Sequence, residues 1–251
     1  MQTKTRPWEK ALAILLAVAL WQLAAMALNS HLLLASPLQV CGRLAALLEE
    51  PSFYSAVLFS FCRIVSGFLL ALLAAAVLAA LAARFHWAEV LLFPYMSVIK
   101  ATPVASFIIL CLLCMGVSHL PLFISFLMVL PILYTNLLQG IRAADEALLE
   151  MARVFRLSPA RRIPYVYLPQ IKPFLLSACS VSLGLCWKAG IAAEVIGIPA
   201  GSIGEKLYEA KIYLASADLF AWTIVIITIS ILFEKLFLRL LKAAYGAWEG
   251  R

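Results

Sequence analysis

Long apolar runs, separated by short charged segments, make up most of the chain. The charge-free windows are residues 11–28, 64–83, 101–118, 120–138, 173–187 and 219–233. Roughly 20 mostly apolar residues in a helix cross the hydrocarbon core of a bilayer, and the two shorter windows can be extended through isolated charges. The pattern therefore predicts six transmembrane helices, the third starting near Val90 and the fifth continuing to about Glu194.

The basic residues between these runs predict the orientation of the chain. Lysine and arginine are enriched in the cytoplasmic loops of membrane proteins. If the N-terminus is cytoplasmic, most of the 20 lysines and arginines fall in inner segments, above all in 140–172 and in the C-terminal tail. We therefore expect both termini to be cytoplasmic, in a polytopic, all-α membrane protein.

Composition agrees with this class and excludes others. The chain is 65% hydrophobic and 13% charged, whereas a soluble domain is about half apolar and about a quarter charged. The net charge of +7 is then explained by basic residues that orient the loops across the membrane. Nucleic acid is therefore not an expected partner. Cys111 and Cys114 form a CxxC pair with no nearby histidine or acidic residue, so we expect packing and predict no metal site.

Two segments outside the membrane also carry helical patterns. Residues 36–50 place leucines near helical spacing, which predicts a short interfacial helix. Residues 196–218 are glycine-rich and then amphipathic, with Asp218 as the expected N-cap of the sixth helix.

The longest cytoplasmic segment, 140–172, is basic and helix-forming. Ser158 and Pro159 are typical of an N-cap and a first helical turn, and Pro169 is expected to end that second helix, with Pro164 inside it. A first helix is predicted before Ser158. Its apolar residues recur at i, i+3, i+4 and i+7 and so form one face, which consists of Leu148, Met151, Ala152 and Phe155. Two short helices joined by a turn at the membrane surface would suit docking of a cytosolic partner. The alternative is a basic linker held at anionic lipid headgroups.

This segment resembles the EAA loop of permease subunits of binding-protein-dependent ABC importers. That pattern is EAA, three residues, glycine, nine residues, isoleucine, one residue and Leu-Pro. The matching positions are Glu150, Met151, Ala152, Arg156, Val166, Leu168 and Pro169. Arg156 replaces the glycine, which questions a tight turn because arginine tolerates a positive φ poorly. Segments 60–71, 101–110, 133–145 and 183–197 also resemble permeases of the nitrate/sulfonate/taurine type, so the resemblance covers about 36–245.

The resemblance implies a single permease domain over 1–251, with a core of 52–245 and a type I importer-like fold. It implies a bacterial inner-membrane protein that pairs with a second copy, expected to be a homodimer. Segment 140–172 would couple it to a cytosolic ATPase, and an extracytoplasmic binding protein would deliver the solute. The chain has no GxxxxGK[ST] phosphate loop, so ATP and Mg would be used by the partner. No cofactor or catalytic residue is expected here. Sulfonate-, nitrate-, taurine- or thiamine-precursor-like solutes, or other small anions, are the implied cargo.

Lys188 and Glu194 are the clearest charges within a predicted span. A charge at the bilayer centre costs about 2.5–3.5 kcal/mol on insertion scales, so such residues usually face a cavity or a partner. The two lie about 120° apart on a helix, which argues against a direct pair, so each would meet another helix, the second subunit or the path. The resemblance implies that the fifth helix lines the central path, which makes Glu194 and Lys188 candidates for the translocation path; the alternative for Lys188 is a structural pair with a neighbouring polar group. Lys100 is expected to extend towards the cytoplasmic surface, and Pro103, Pro121 and Pro131 are expected to kink the third and fourth helices.

Two other functions remain open from the residues alone. A stand-alone secondary carrier or channel would be small for a fold with inverted repeats and would leave segment 140–172 without a role. A membrane-embedded hydrolase would need a nucleophile with a base, and no GxSxG motif is present.

Overall fold

The computed structural model describes residues 7–28 and 34–249, and all regular elements within these ranges are helical. The helices are α1 (Pro7–Leu28), α2 (Pro37–Glu49), α3 (Pro51–Arg84), α4 (His86–Ala101), α5 (Val104–Cys114), α6 (Leu120–Arg142), α7 (Glu146–Val154), α8 (Pro159–Arg162), a π-helical segment (Ile163–Tyr167), α9 (Leu168–Gly197), α10 (Ile203–Ile212) and α11 (Ser216–Glu249). The predicted all-α class is confirmed. The expected cytoplasmic position of residues 1–6 lies outside the described residues.

Three helices in the described part of the chain are each long and apolar enough to cross a membrane. They are α3, α6 and the continuous helix Ile163–Gly197, which joins the π-helical segment to α9. The pair α4 and α5 makes a fourth candidate, either as one broken span or as a re-entrant segment. The first and last predicted spans fall in α1 and α11.

The third predicted helix, expected to be kinked at Pro103, is divided into two separate helices. α4 and α5 meet at a bend of 107°, where Thr102 and Pro103 are both extended, with ψ of 131° and 136°. Proline lacks the N–H that a helix interior needs, and its ring pushes the preceding residue out of the α region. Pro103 therefore breaks the run instead of kinking it, whereas Pro131 lies inside an unbroken α6.

The helix predicted within 36–50 is present as α2. Its start is a capping box in which Ser36 Oγ accepts from the Gln39 N–H and Gln39 Oε1 accepts from the Ser36 N–H. Asp218, however, does not cap the last helix as predicted. α11 begins at Ser216, so Asp218 lies in its first turn, where its carboxylate pairs with the guanidinium of Arg43 on α2.

α3, α6 and α9 cross at close range at the centre of the bundle. A Cβ added at Gly67 on α3 would lie 2.4 Å from the Leu122 carbonyl oxygen of α6. One added at Gly190 on α9 would lie 2.6 Å from Ser125 Oγ and from Ile64 Cγ1. In the C-terminal half of α3, after Phe68, the buried residues are small, namely Ala71, Ala75, Ala79 and Ala82. Small residues let helix backbones approach closely, as in other membrane bundles.

Candidate functional site

The connection between α6 and α9 is held in place at its base by one glutamine. Asp145 caps α7, since its Oδ1 accepts from the Ala147 N–H at 2.9 Å. The Asp145 N–H donates in turn to Gln170 Oε1 at 2.6 Å, while Gln170 Nε2 donates to the Val166 carbonyl at 3.0 Å. Gln170 lies in the first turn of α9, so it ties the start of the connection to its end.

α7 ends in a turn that glycine usually makes. Arg156 has φ +50°, in the left-handed region. Its N–H donates to the Arg153 carbonyl at 3.0 Å, and the Leu157 N–H donates to the Ala152 carbonyl at 2.9 Å. These two bonds form a Schellman motif with Arg156 at C′, the position where glycine is preferred. The tight turn that the glycine-to-arginine departure questioned is therefore present.

The expectation that Pro169 ends the second helix is wrong. α8 passes through the π-helical segment directly into α9, and Pro169 lies in the first turn of α9. The Leu168 N–H bonds to the Ile163 carbonyl, five residues back. A π turn widens the helix locally, and this turn lies where Pro164 and Pro169 lack the N–H groups of an α-helical ladder.

The motif residues divide into buried and exposed sets. Ala152 and Val166 are buried, on α7 and on the π-helical segment, and these two elements pack against each other. Leu168 is half-buried, and Pro169 is exposed. Glu150, Met151 and Arg156 are also exposed. Of the predicted helical face, only Ala152 is buried.

Several large apolar side chains of this connection are exposed. Val154 is 79% and Phe155 is 73% exposed, and Met151, Ile163 and Tyr165 are exposed too. We call these five residues the loop's apolar surface. Exposed apolar patches mark contact sites for other molecules. Met151, Val154 and Phe155 recur at i, i+3 and i+4 at the end of α7 and so share one face, and the Asp145 cap and the Gln170 bonds hold the backbone of this connection.

An ion pair that local sequence patterns did not reveal lies beside this connection. Arg142, in the last turn of α6, donates from Nη1 to Glu89 Oε1 at 2.7 Å and from Nη2 to Glu89 Oε2 at 2.5 Å. Glu89 lies in the first turn of α4. This two-bond geometry gives orientation as well as attraction. It joins the start of α4 to the end of α6, where the connection to α9 begins.

The structure separates the two charges predicted within the fifth span. Lys188 is exposed on α9, whereas Glu194 is 0% exposed. Glu194 Oε2 accepts from the Ser60 hydroxyl at 2.8 Å and from the Gly204 N–H at 3.1 Å. Lys100 is exposed at the end of α4. The assignment of Lys188 and Glu194 to a translocation path remains a prediction.

Three apolar helices of spanning length among the described residues, and a fourth if the bent pair is one span, define an integral membrane protein. Residues 67–244 match the family described as binding-protein-dependent transport system inner membrane component, and the chain belongs to this family. It is thus an ABC importer permease, and the resemblance to the nitrate/sulfonate/taurine type is confirmed.

Relatives of this chain support the same assignment. An ABC transporter permease protein of Brucella melitensis is 29% identical over 84% of this chain and 84% of its own length. An aliphatic sulfonates transport permease protein of Bacillus subtilis is 26% identical over 96% of this chain and 88% of its own. The taurine transport system permease protein of Escherichia coli is 26% identical over 95% of this chain and 88% of its own. All three are named as permease proteins.

Proposed function

We propose that this chain forms one of two permease subunits around a solute path and that segment 140–172 couples it to a separate cytosolic ATPase. The observation that carries the proposal is the loop's apolar surface, which is exposed although its backbone is capped and bonded. A flexible linker lying on lipid headgroups would need neither the Asp145 cap nor the Gln170 bonds.

The arrangement of the helices supports a protein with segment 140–172 at one end of the bundle and α10 at the other. α9 has 30 residues, which at 1.5 Å per residue is a length of roughly 45 Å. The coupling segment precedes α9 and α10 follows it, so they lie at opposite ends of this helix. We place the first end in the cytoplasm, on the Lys and Arg distribution. α1 and α11, together with the broken pair α4 and α5, complete six membrane-embedded units with both termini inside.

The division of the motif assigns different roles to its residues. Glu150, Met151 and Arg156 are exposed and are proposed to contact the ATPase. Ala152 and Val166 are buried and would hold α7 against the π-helical segment, and Leu168 and Pro169 would join this unit to α9. ATP and Mg would be bound by the partner ATPase, and an extracytoplasmic binding protein would meet the end near α10. We place the complex in a bacterial inner membrane.

For the solute we propose a small anion or zwitterion such as a sulfonate or taurine. The support is that permeases named for aliphatic sulfonates and for taurine align along most of this chain. Lys188 is the basic residue of α9 within the predicted membrane span and is exposed in the single chain, so it is proposed to face the path in the assembled pair.

A charge placed on the loop's apolar surface tests the coupling role. In the assembled transporter, Phe155→Asp should reduce retention of the ATPase during purification by roughly tenfold or more, because central interface aromatics contribute about 2 kcal/mol or more. Glu150→Ala should weaken retention less. Tyr213→Asp is the matched control, since Tyr213 directly follows α10, away from segment 140–172 in the chain, and is 79% exposed.

All three variants should insert into the membrane at normal levels. Full ATPase retention and full transport in Phe155→Asp would show that this surface does not dock the ATPase. Loss of ATPase retention in Tyr213→Asp as well would point to general damage by a new charge and would also count against the assignment.

A further inference from the structure

The start of α10 is buried where three parts of the chain meet. The Ile203 N–H donates to Ser60 Oγ of α3 at 3.0 Å, and the Gly204 N–H donates to Glu194 Oε2 of α9 at 3.1 Å. The Glu205 N–H donates to Ser202 Oγ at 3.0 Å, as an ordinary N-cap does. Two of the N-terminal amides of α10 therefore bond to side chains of other helices.

Ser60 and Glu194 act as one unit. The Ser60 hydroxyl donates to Glu194 Oε2 at 2.8 Å while its oxygen accepts from Ile203. Both side chains are 0% exposed. Such a chain of bonds in a medium of low dielectric constant strengthens each member, and a carboxylate at a helix N-terminus also interacts favourably with the helix dipole.

The backbones of α9 and α10 touch at the same place. A Cβ at Gly204 would lie 2.2 Å from Glu194 Cβ and 2.6 Å from the Val195 nitrogen. Only glycine allows this approach, and the approach is what brings the Gly204 N–H within reach of the carboxylate. Glu194 Oε1 is buried without a hydrogen-bond partner among the described residues, so the carboxylate is enclosed by protein.

We propose that Glu194, together with Ser60, is a positioning residue that fixes α10 to the ends of α3 and α9 opposite the coupling segment. Without these acceptors the first amides of α10 would be unsatisfied in a place that water does not reach. Glu194 then acts on transport through the position of α10 and not through contact with the solute. That consequence for transport rests on the proposed function, whereas the anchoring itself does not.

The test measures whether the buried face of α10 opens. Ala210 is 5% exposed and lies on that face. In the full transporter with its native cysteines replaced, Ala210→Cys should react slowly with a small maleimide. Adding Ser60→Ala, Glu194→Ala or Gly204→Ala should each raise the labelling rate by roughly 5- to 30-fold, the factor expected from losing one or two kcal/mol of local stability.

Two matched controls separate anchoring from general damage. Ser182→Ala removes a hydroxyl that is also fully buried but is not bonded to α10. Gly184→Ala adds a methyl group on α9 where nothing lies within 4 Å. Neither should change labelling. If Glu194→Ala fails to insert, Ser60→Ala and Gly204→Ala still decide the question.

Unchanged labelling in Ser60→Ala and Gly204→Ala would overturn the proposal, whatever happens to transport. A changed KM for the solute in Glu194→Gln with unchanged labelling would instead place Glu194 in the path. The anchor variants could label faster while neither they nor the parent protein retain an ATPase. That outcome would support the anchor and refute the coupling proposal.

Discussion

Arg156→Gly should stabilise the turn at the end of α7. Arg156 lies at φ +50°, and its amide and that of Leu157 donate the two bonds that close the turn, at 3.0 and 2.9 Å. A non-glycine residue in the left-handed region costs about 1–2 kcal/mol, and this strain disappears when glycine replaces arginine.

The gain is partly offset in the unfolded loop. Glycine has more backbone freedom to lose on ordering, which costs roughly 0.5–1 kcal/mol. The net stabilisation should therefore be about 0.5–1 kcal/mol, which slows local opening by about two- to fivefold. The Arg156 side chain is exposed, so its removal should not leave a cavity.

Amide hydrogen exchange of the peptide that spans this turn measures the effect. After correction for intrinsic rates, Arg156→Gly should slow exchange at positions 156 and 157, whereas Arg156→Ala keeps the backbone strain and should exchange like the parent protein. Faster exchange in both variants would refute the reasoning, because it would mean that contacts of the arginine side chain hold the turn. The glycine variant should also bind the ATPase more weakly if the arginine contacts it.

Two further predictions concern the packing of the bundle. Gly67→Ala should destabilise the protein by about 1–3 kcal/mol, because the new Cβ would lie 2.4 Å from a backbone oxygen of α6; its thermal midpoint in detergent should fall, while that of Gly184→Ala should not. Glu89→Arg should loosen the start of α4 from α6 and speed proteolysis at the junction of α3 and α4, and the added change Arg142→Glu should restore protection in a salt-sensitive way. No restoration in the double variant would mean that the pair does not hold α4.

Part of the structure of segment 140–172 could be predicted from sequence and part could not. Helical spacing and the Ser158–Pro159 start indicated two helical pieces, and both are present. The proline signals failed at Pro169 because a π turn lets the helix continue, a property of the whole 159–197 run and not of one residue. At Pro103 the helix does break. Proline disfavours the α region for Thr102 before it, although the apolar run on both sides is typical of a single span.

The sequence by itself determined the class, the apolar helices and the family. Each depends on local composition or fixed spacing, which the chain carries without folding. Only the tertiary structure decided what Gln170, Glu89 and Glu194 do. Ser60 and Glu194 are 134 positions apart, and periodicity along a helix says nothing about which distant amide or hydroxyl a side chain will meet. A carboxylate in an apolar run signals that a partner is required, but the partner, here the start of α10, is set by how three helices pack.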